Sequence, residues 1–209
     1  MSAVMSREEA LGHLLENHVF DRWQGDLDII SESYIQNQDA TIAEFVSSVD
    51  SACKKAAELQ DAGMKGDIQY IYLSLLRTSL MEYKASYRID IHDERWFLDP
   101  VECSSHWKAE FIFNPLFQRM RELEAVKSSY ARKISTMDIE RILQIEAIRH
   151  HLFAIEFMRN MVPSILECEG YNLLVKKPNI CILAGEYRDR SELLYGQPET
   201  GQEGIMAEQ

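Results

Sequence analysis

The chain has 209 residues, of which 46% are hydrophobic, 27% charged and 10% aromatic. That composition excludes a disordered chain and suits one domain with a real core. A formal net charge of -12 repels phosphate backbones, which argues against general nucleic-acid binding and against a DNA-binding regulator.

No run approaches the roughly 18 charge-free apolar residues of a membrane span. The start lacks the basic and apolar regions of a secretory leader. Cys53, Cys103, Cys168 and Cys181 are scattered and form no C-x-x-C, so reduced thiols in the cytoplasm are expected.

Ser6 and Glu9 make a capping-box pattern, and Leu11, Leu14, Leu15, His18, Val19 and Trp23 follow at helical spacing. A helix with one buried face is therefore expected over 7–23. Gly25-Asp26 interrupts it, and residues 27–36 suit a short helix. The cleanest amphipathic pattern lies over 41–61, where Ile42, Phe45, Val46, Val49, Ala52, Cys53 and Ala56 form an apolar stripe. After Gly63 and Gly66, the spacing of Leu73, Leu76, Leu80, Tyr83 and Tyr87 predicts a helix over about 67–83.

The texture then changes. Tyr87, Ile89 and Ile91 alternate with Arg88, Asp90 and His92, the period of a half-exposed strand. A short helix is expected over 105–113, stopped at Asn114-Pro115, which in turn suit the start of a helix over 115–134. Met120, Leu123, Tyr130 and Ile134 point inward there. Arg119, Arg121, Glu122, Glu124 and Lys127 read as its solvated face.

The segment 138–169 reads as one long helix, with Ser135 and Asp138 as a start signal and Pro163 as a kink. Ile139, Ile142, Leu143, Phe153, Phe157 and Met161 share one face. Ile145, Ile148, Leu152, Ile155 and Val162 occupy other sides, so the helix is apolar nearly all round and should be central. The apolar run 180–184 suits a strand whose natural partner is 87–92. Residues 190–195 suggest a last helical turn, and 196–209 a disordered tail.

The expected fold is mainly α. It is an irregular bundle of about five or six helices around the long central helix (138–169), with a small two-stranded ribbon (about 87–92 and 180–184). Residues 1–195 form a single helical domain on this reading.

None of the nucleotide-binding, nucleophile-elbow, zincin or EF-hand spacings occurs. The sharpest polar feature is Glu146 with His150, one turn apart within the most apolar stripe. The pair suits either a divalent-metal or acid/base site, or an internal Glu–His pair. The di-metal bundles use Glu-x-x-His on two helices, a spacing this chain does not repeat.

A second cluster gathers Arg88, Asp90, His92, Asp93, Glu94, Glu102, Cys103 and His106. It suits a pocket at the ribbon's end or a solvated strand face. Cys103 and His106 have the residue types of a nucleophile and base but no orienting third group. The aromatics Tyr83, Tyr87, Trp96, Phe97, Trp107, Phe111 and Phe113 suit packing between ribbon and bundle, or the floor of a ligand pocket.

The favoured function is a non-catalytic module that self-associates as a homo-oligomer through helical surfaces, or binds a protein or small ligand, with no cofactor. The alternative is a metal-binding protein or enzyme built on Glu146 and His150.

Overall fold

A computed structural model describes residues 5–197. Its helices are α1 (Arg7–His18), α2 (Trp23–Asp61), α3 (Arg77–Met81), α4 (Glu110–Val126), α5 (Thr136–Glu167) and α6 (Glu169–Leu173). Its strands are β1 (Ile68–Leu75), β2 (Ser86–Asp93), β3 (Ser104–Lys108), β4 (Lys176–Glu186) and β5 (Ser191–Tyr195).

The strands form one five-stranded mixed sheet in the order β3-β2-β1-β4-β5. β1 runs antiparallel to β2 and parallel to β4, with Tyr72 opposite both Asp90 and Leu183. Strands β3 and β5 close the two edges as antiparallel partners of β2 and β4. A parallel pair needs a long crossover, and α4, α5 and α6 lie within the connection from β1 to β4.

This corrects the expected all-α bundle with a two-stranded ribbon: the protein is mixed α/β. The segments 87–92 and 180–184 are strands, but they never pair with each other. β1 lies between them, where the sequence suggests a helix. Every residue of β1 is buried, so this central strand has no exposed face to create a period-two signal. Leu73, Leu76 and Leu80 meanwhile fall at helical spacing because a strand end, a turn and α3 follow one another. Of the helix expected over 105–113, residues 105–108 belong to edge strand β3 and 110–113 to the start of α4, and the last helical turn expected over 190–195 is edge strand β5.

The sheet has two unlike faces. Ile71, Leu73, Tyr87, Ile89, Ile91 and Ile182 join the large core beneath the helices. On the other face Tyr70, Tyr72, Cys181 and Leu183 form a small cluster, covered by Trp96 and Phe97 from a short 3-10 turn and by Leu193. The separate helices expected over 27–36 and 41–61 are both part of α2, which bends at Asn37 where the backbone leaves helical values.

α1 ends at His18, short of the expected Trp23. α4 begins at Glu110 and runs through Pro115, so Asn114-Pro115 neither stops one helix nor starts another. The expected start of α5 is observed, with the Asp138 amide donating to Ser135 Oγ and the Ser135 amide to Asp138 Oδ2.

α5 is buried on two sides and open on a third. Ile155 and Val162 are covered, whereas Ile145, Ile148 and Leu152 are 62%, 54% and 49% exposed. The helix is therefore not enclosed by neighbours as its all-round apolarity suggests.

Gly170 in α6 has a packing role. Its amide donates to Asp50 Oδ1 at 2.6 Å, and a Cβ there would meet the Asp50 carbonyl oxygen at 2.4 Å. Among the described residues no helix is long and apolar enough to cross a membrane. Of the tail expected to be disordered, residues 198–209 lie outside the described residues.

Candidate functional site

Glu146 and His150 do point inward together, at 4% and 0% exposure. Their side chains do not bond to each other. Glu146 accepts from Arg119 Nη1 at 3.0 Å and from Arg149 Nη1 at 2.7 Å. Arg119 Nη2 reaches on to Asp26 Oδ2 at 2.7 Å. His150 Nδ1 donates to the Glu146 carbonyl oxygen at 3.1 Å.

His150 Nε2 lies 3.3 Å from Asp26 Oδ2, close enough for an ion pair but not aligned as a hydrogen bond. Phe113 and Phe153 pack around the imidazole ring.

Two carboxylates thus face two guanidinium groups, and the charge sums to zero without His150. Burying a charge is tolerated when it is paired and hydrogen-bonded, and both carboxylates here are. The cluster ties the start of α2, the middle of α4 and the middle of α5 to one another. It is an internal ion-pair network that fixes how three helices pack. Among the described residues no group of three or more His, Cys, Asp or Glu is placed to hold a metal ion.

The sequence pattern misses two members of this network. Arg119 belongs to what reads as a solvated face of α4, yet it is buried. Asp26 reads as part of a break, yet it caps the network from the first turn of α2. Only one signal was available: a buried carboxylate at Glu146 requires a cation from elsewhere in the chain.

The second cluster is partly assembled. Arg88, Asp90, His92 and Glu102 line a cavity of about 190 Å³ on the outer face of the sheet, with Tyr187 and Arg188 across it. Arg88 Nε bonds both oxygens of Asp90 at 2.8 Å, and its Nη2 reaches Glu102 at 2.8 Å. Burial lowers the pKa of His92 below the ordinary histidine value. Asp93 turns away to Arg95, and Glu94 pairs with Lys177.

Cys103 and His106 are not brought together in this cavity. Cys103 faces α2, where its Sγ contacts the Ala52 carbonyl at 3.2 Å, and burial raises its pKa to about 11. A thiol so placed stays protonated at neutral pH and is a poor nucleophile. His106 is exposed on β3, opposite Arg88.

The wall of this cavity includes Asp99, half of an ion pair that the pattern gave no sign of. Lys65 and Asp99 meet at 2.6 Å with both side chains wholly buried. Lys65 also donates to the Val101 carbonyl, and Asp99 accepts from the amides of Asp93 and Val101. Burial works to raise the Asp99 pKa, but these hydrogen bonds outweigh it and hold the carboxyl below its ordinary value.

A larger concave feature than this cavity lies elsewhere. A groove of about 490 Å³ runs between α3 and α5 and is mostly apolar, lined by Leu75, Leu80, Met81, Ile145, Ala147 and Ile148. Arg77 and Glu186 meet at its rim as an ion pair. The exposed residues Ile145 and Ile148 form its α5 wall, and Leu152 continues the stripe one turn on. Apolar side chains clustered on an otherwise polar surface mark interaction sites.

No protein-family model matches the sequence, and no curated protein and no solved structure matches it.

Proposed function

We propose that this chain is a non-catalytic protein-binding module whose recognition surface is the outer face of α5 with the α3–α5 groove. The observation that carries the reading is the exposure of Ile145, Ile148 and Leu152 on one ridge beside that groove. Spacings of three and four residues place all three on one side of the helix. Helices pack by setting the ridge of one into the groove of another. A ridge beside a groove of matching chemistry therefore suits an amphipathic helix laid along α5.

The two polar clusters support this reading from the opposite direction. Glu146 and Asp26 are neutralised by Arg119 and Arg149 inside the helix layer. Arg88 is already shared between Asp90 and Glu102. These groups hold each other in place, whereas Ile145, Ile148 and Leu152 are exposed together on one ridge.

A synthetic amphipathic Leu/Lys helical peptide, titrated while amide hydrogen exchange is followed, tests the surface. Slower exchange is expected in α3 and the middle of α5, and it should vanish in the Ile148→Glu variant. Protection confined to the sheet edges β3 and β5 would overturn the reading, because strand pairing would then be the binding mode.

A further inference from the structure

We infer that the occupant of this surface is a second copy of the same chain, docked through α5 in an antiparallel, two-fold arrangement centred between Ile148 and Arg149. The inference rests on the binding-surface reading above and supplies its partner. Its warrant is a self-complementary pattern along the exposed ridge of α5. The ridge runs Arg141, Ile145, Ile148, Leu152, Glu156, all five exposed.

A two-fold axis across an antiparallel helix pair matches residues whose numbers have a constant sum. About a centre at 148.5, Ile145 faces the partner's Leu152, and Ile148 lies beside the partner's Ile148. At about 1.5 Å of rise per residue, the two Ile145–Leu152 pairs sit about 5 Å either side of the centre, with the Ile148 pair at the centre itself. The same operation, about 11 Å out, sets Arg141 opposite the partner's Glu156. One register therefore satisfies the apolar stripe and the charges at both of its ends. A two-fold interface requires this kind of self-complementarity, since the same patch serves both subunits.

The surroundings agree with this occupant. Glu156 accepts a bond from Arg159 through Oε1 at 3.3 Å and stays exposed, so its other oxygen is open to the partner's Arg141. Arg149 flanks the centre and stacks over the Trp23 ring at 5.8 Å. The stripe thus carries Arg141 and Arg149 locally, although the whole chain has a net charge of -12. The repulsion between two such acidic chains falls with salt, whereas the apolar pairs do not depend on it. The groove beside the ridge receives the partner's side chains that overhang α5.

Sedimentation equilibrium of the full chain between about 1 and 200 µM, at about 0.15 M ionic strength, tests the proposal. A reversible monomer–dimer equilibrium is expected, and Ile148→Glu should abolish it, with a melting curve that matches the parent's at the monomeric end of the range, since that side chain is exposed. Arg141→Glu and Glu156→Arg should each weaken the dimer about fivefold or more. The double variant, which restores opposite charges in this register, should recover most of that loss.

A strict monomer up to 200 µM overturns the second-copy assignment. If such a monomer still binds the Leu/Lys peptide along α5, only the assignment of the occupant has failed. A dimer insensitive to Ile148→Glu overturns both. A dimer that is lost in Ile148→Glu, but whose weakening by Arg141→Glu or Glu156→Arg is absent or is not recovered in the double variant, overturns the antiparallel register.

Discussion

Replacing Arg119 with methionine separates an ion-pair network from an incidental cluster. In the folded chain the guanidinium bridges Asp26 at 2.7 Å and Glu146 at 3.0 Å. Glu146 keeps Arg149 after the change, but Asp26 is left with only the imidazole edge of His150 at 3.3 Å. Removing one partner of a buried pair strands a charge away from water, at about 3–5 kcal/mol. For a chain of this length each kcal/mol lowers the melting midpoint by about 2–4 °C, so a fall of about 6–20 °C is expected. Thermal and urea unfolding followed by circular dichroism measure it. The comparison is the triple variant Asp26→Leu/Arg119→Met/Glu146→Leu, in which the one charge left over, on Arg149, is exposed to water. Apolar replacement of a whole buried network is often neutral, so the triple variant should lie closer to the parent than the single one does. An Arg119→Met variant within about 0.5 kcal/mol of the parent, the range of an ordinary surface substitution, would refute the reasoning.

Other outcomes follow from the same structure. Lys65→Met leaves the wholly buried Asp99 with two backbone amides and the longer contact to Arg95 at 3.7 Å, so it should cost up to about 3–5 kcal/mol in urea unfolding and expose the 93–101 loop to proteolysis. Burial, and then the charge of Arg77, lowers the pKa of His151 from 6.5 to about 4. The neutral ring is favoured in the fold, so this stabilisation is complete above pH 6.5 and is lost as pH falls toward 4, by about 3 kcal/mol in all. His151→Gln, which keeps an acceptor for the Tyr87 hydroxyl now 2.6 Å away, should flatten the stability profile in that window. Gly170→Ala drives a methyl group into the Asp50 carbonyl and should destabilise by about 1–3 kcal/mol in the same unfolding assay.

The features legible in the chain are those whose signal is local. Ser135 and Asp138 announce α5 because a capping box closes within one turn. The alternation from Tyr87 to His92 announces β2 because that strand has unlike faces. The inward placing of Glu146 and His150 follows from helical spacing alone. Their chemistry does not: Arg149 is a local partner of Glu146, but the second cation, Arg119, lies 27 residues back, and Arg119 in turn bonds Asp26, 93 residues before it.

Strand β1 is the plainest case of what only the tertiary structure decides. A strand covered on both faces carries no alternation, and its apolar run is equally compatible with a buried helix. Pairing with β2 and β4 made it the centre of a sheet. The same limit applies to α5. Its sequence is apolar on nearly every side, and that pattern is silent on which side the rest of the chain covers. The fold covers two sides and leaves Ile145, Ile148 and Leu152 in the open. Local sequence sets which residues share a face. Whether that face meets the core, another chain or water depends on surfaces supplied by distant segments.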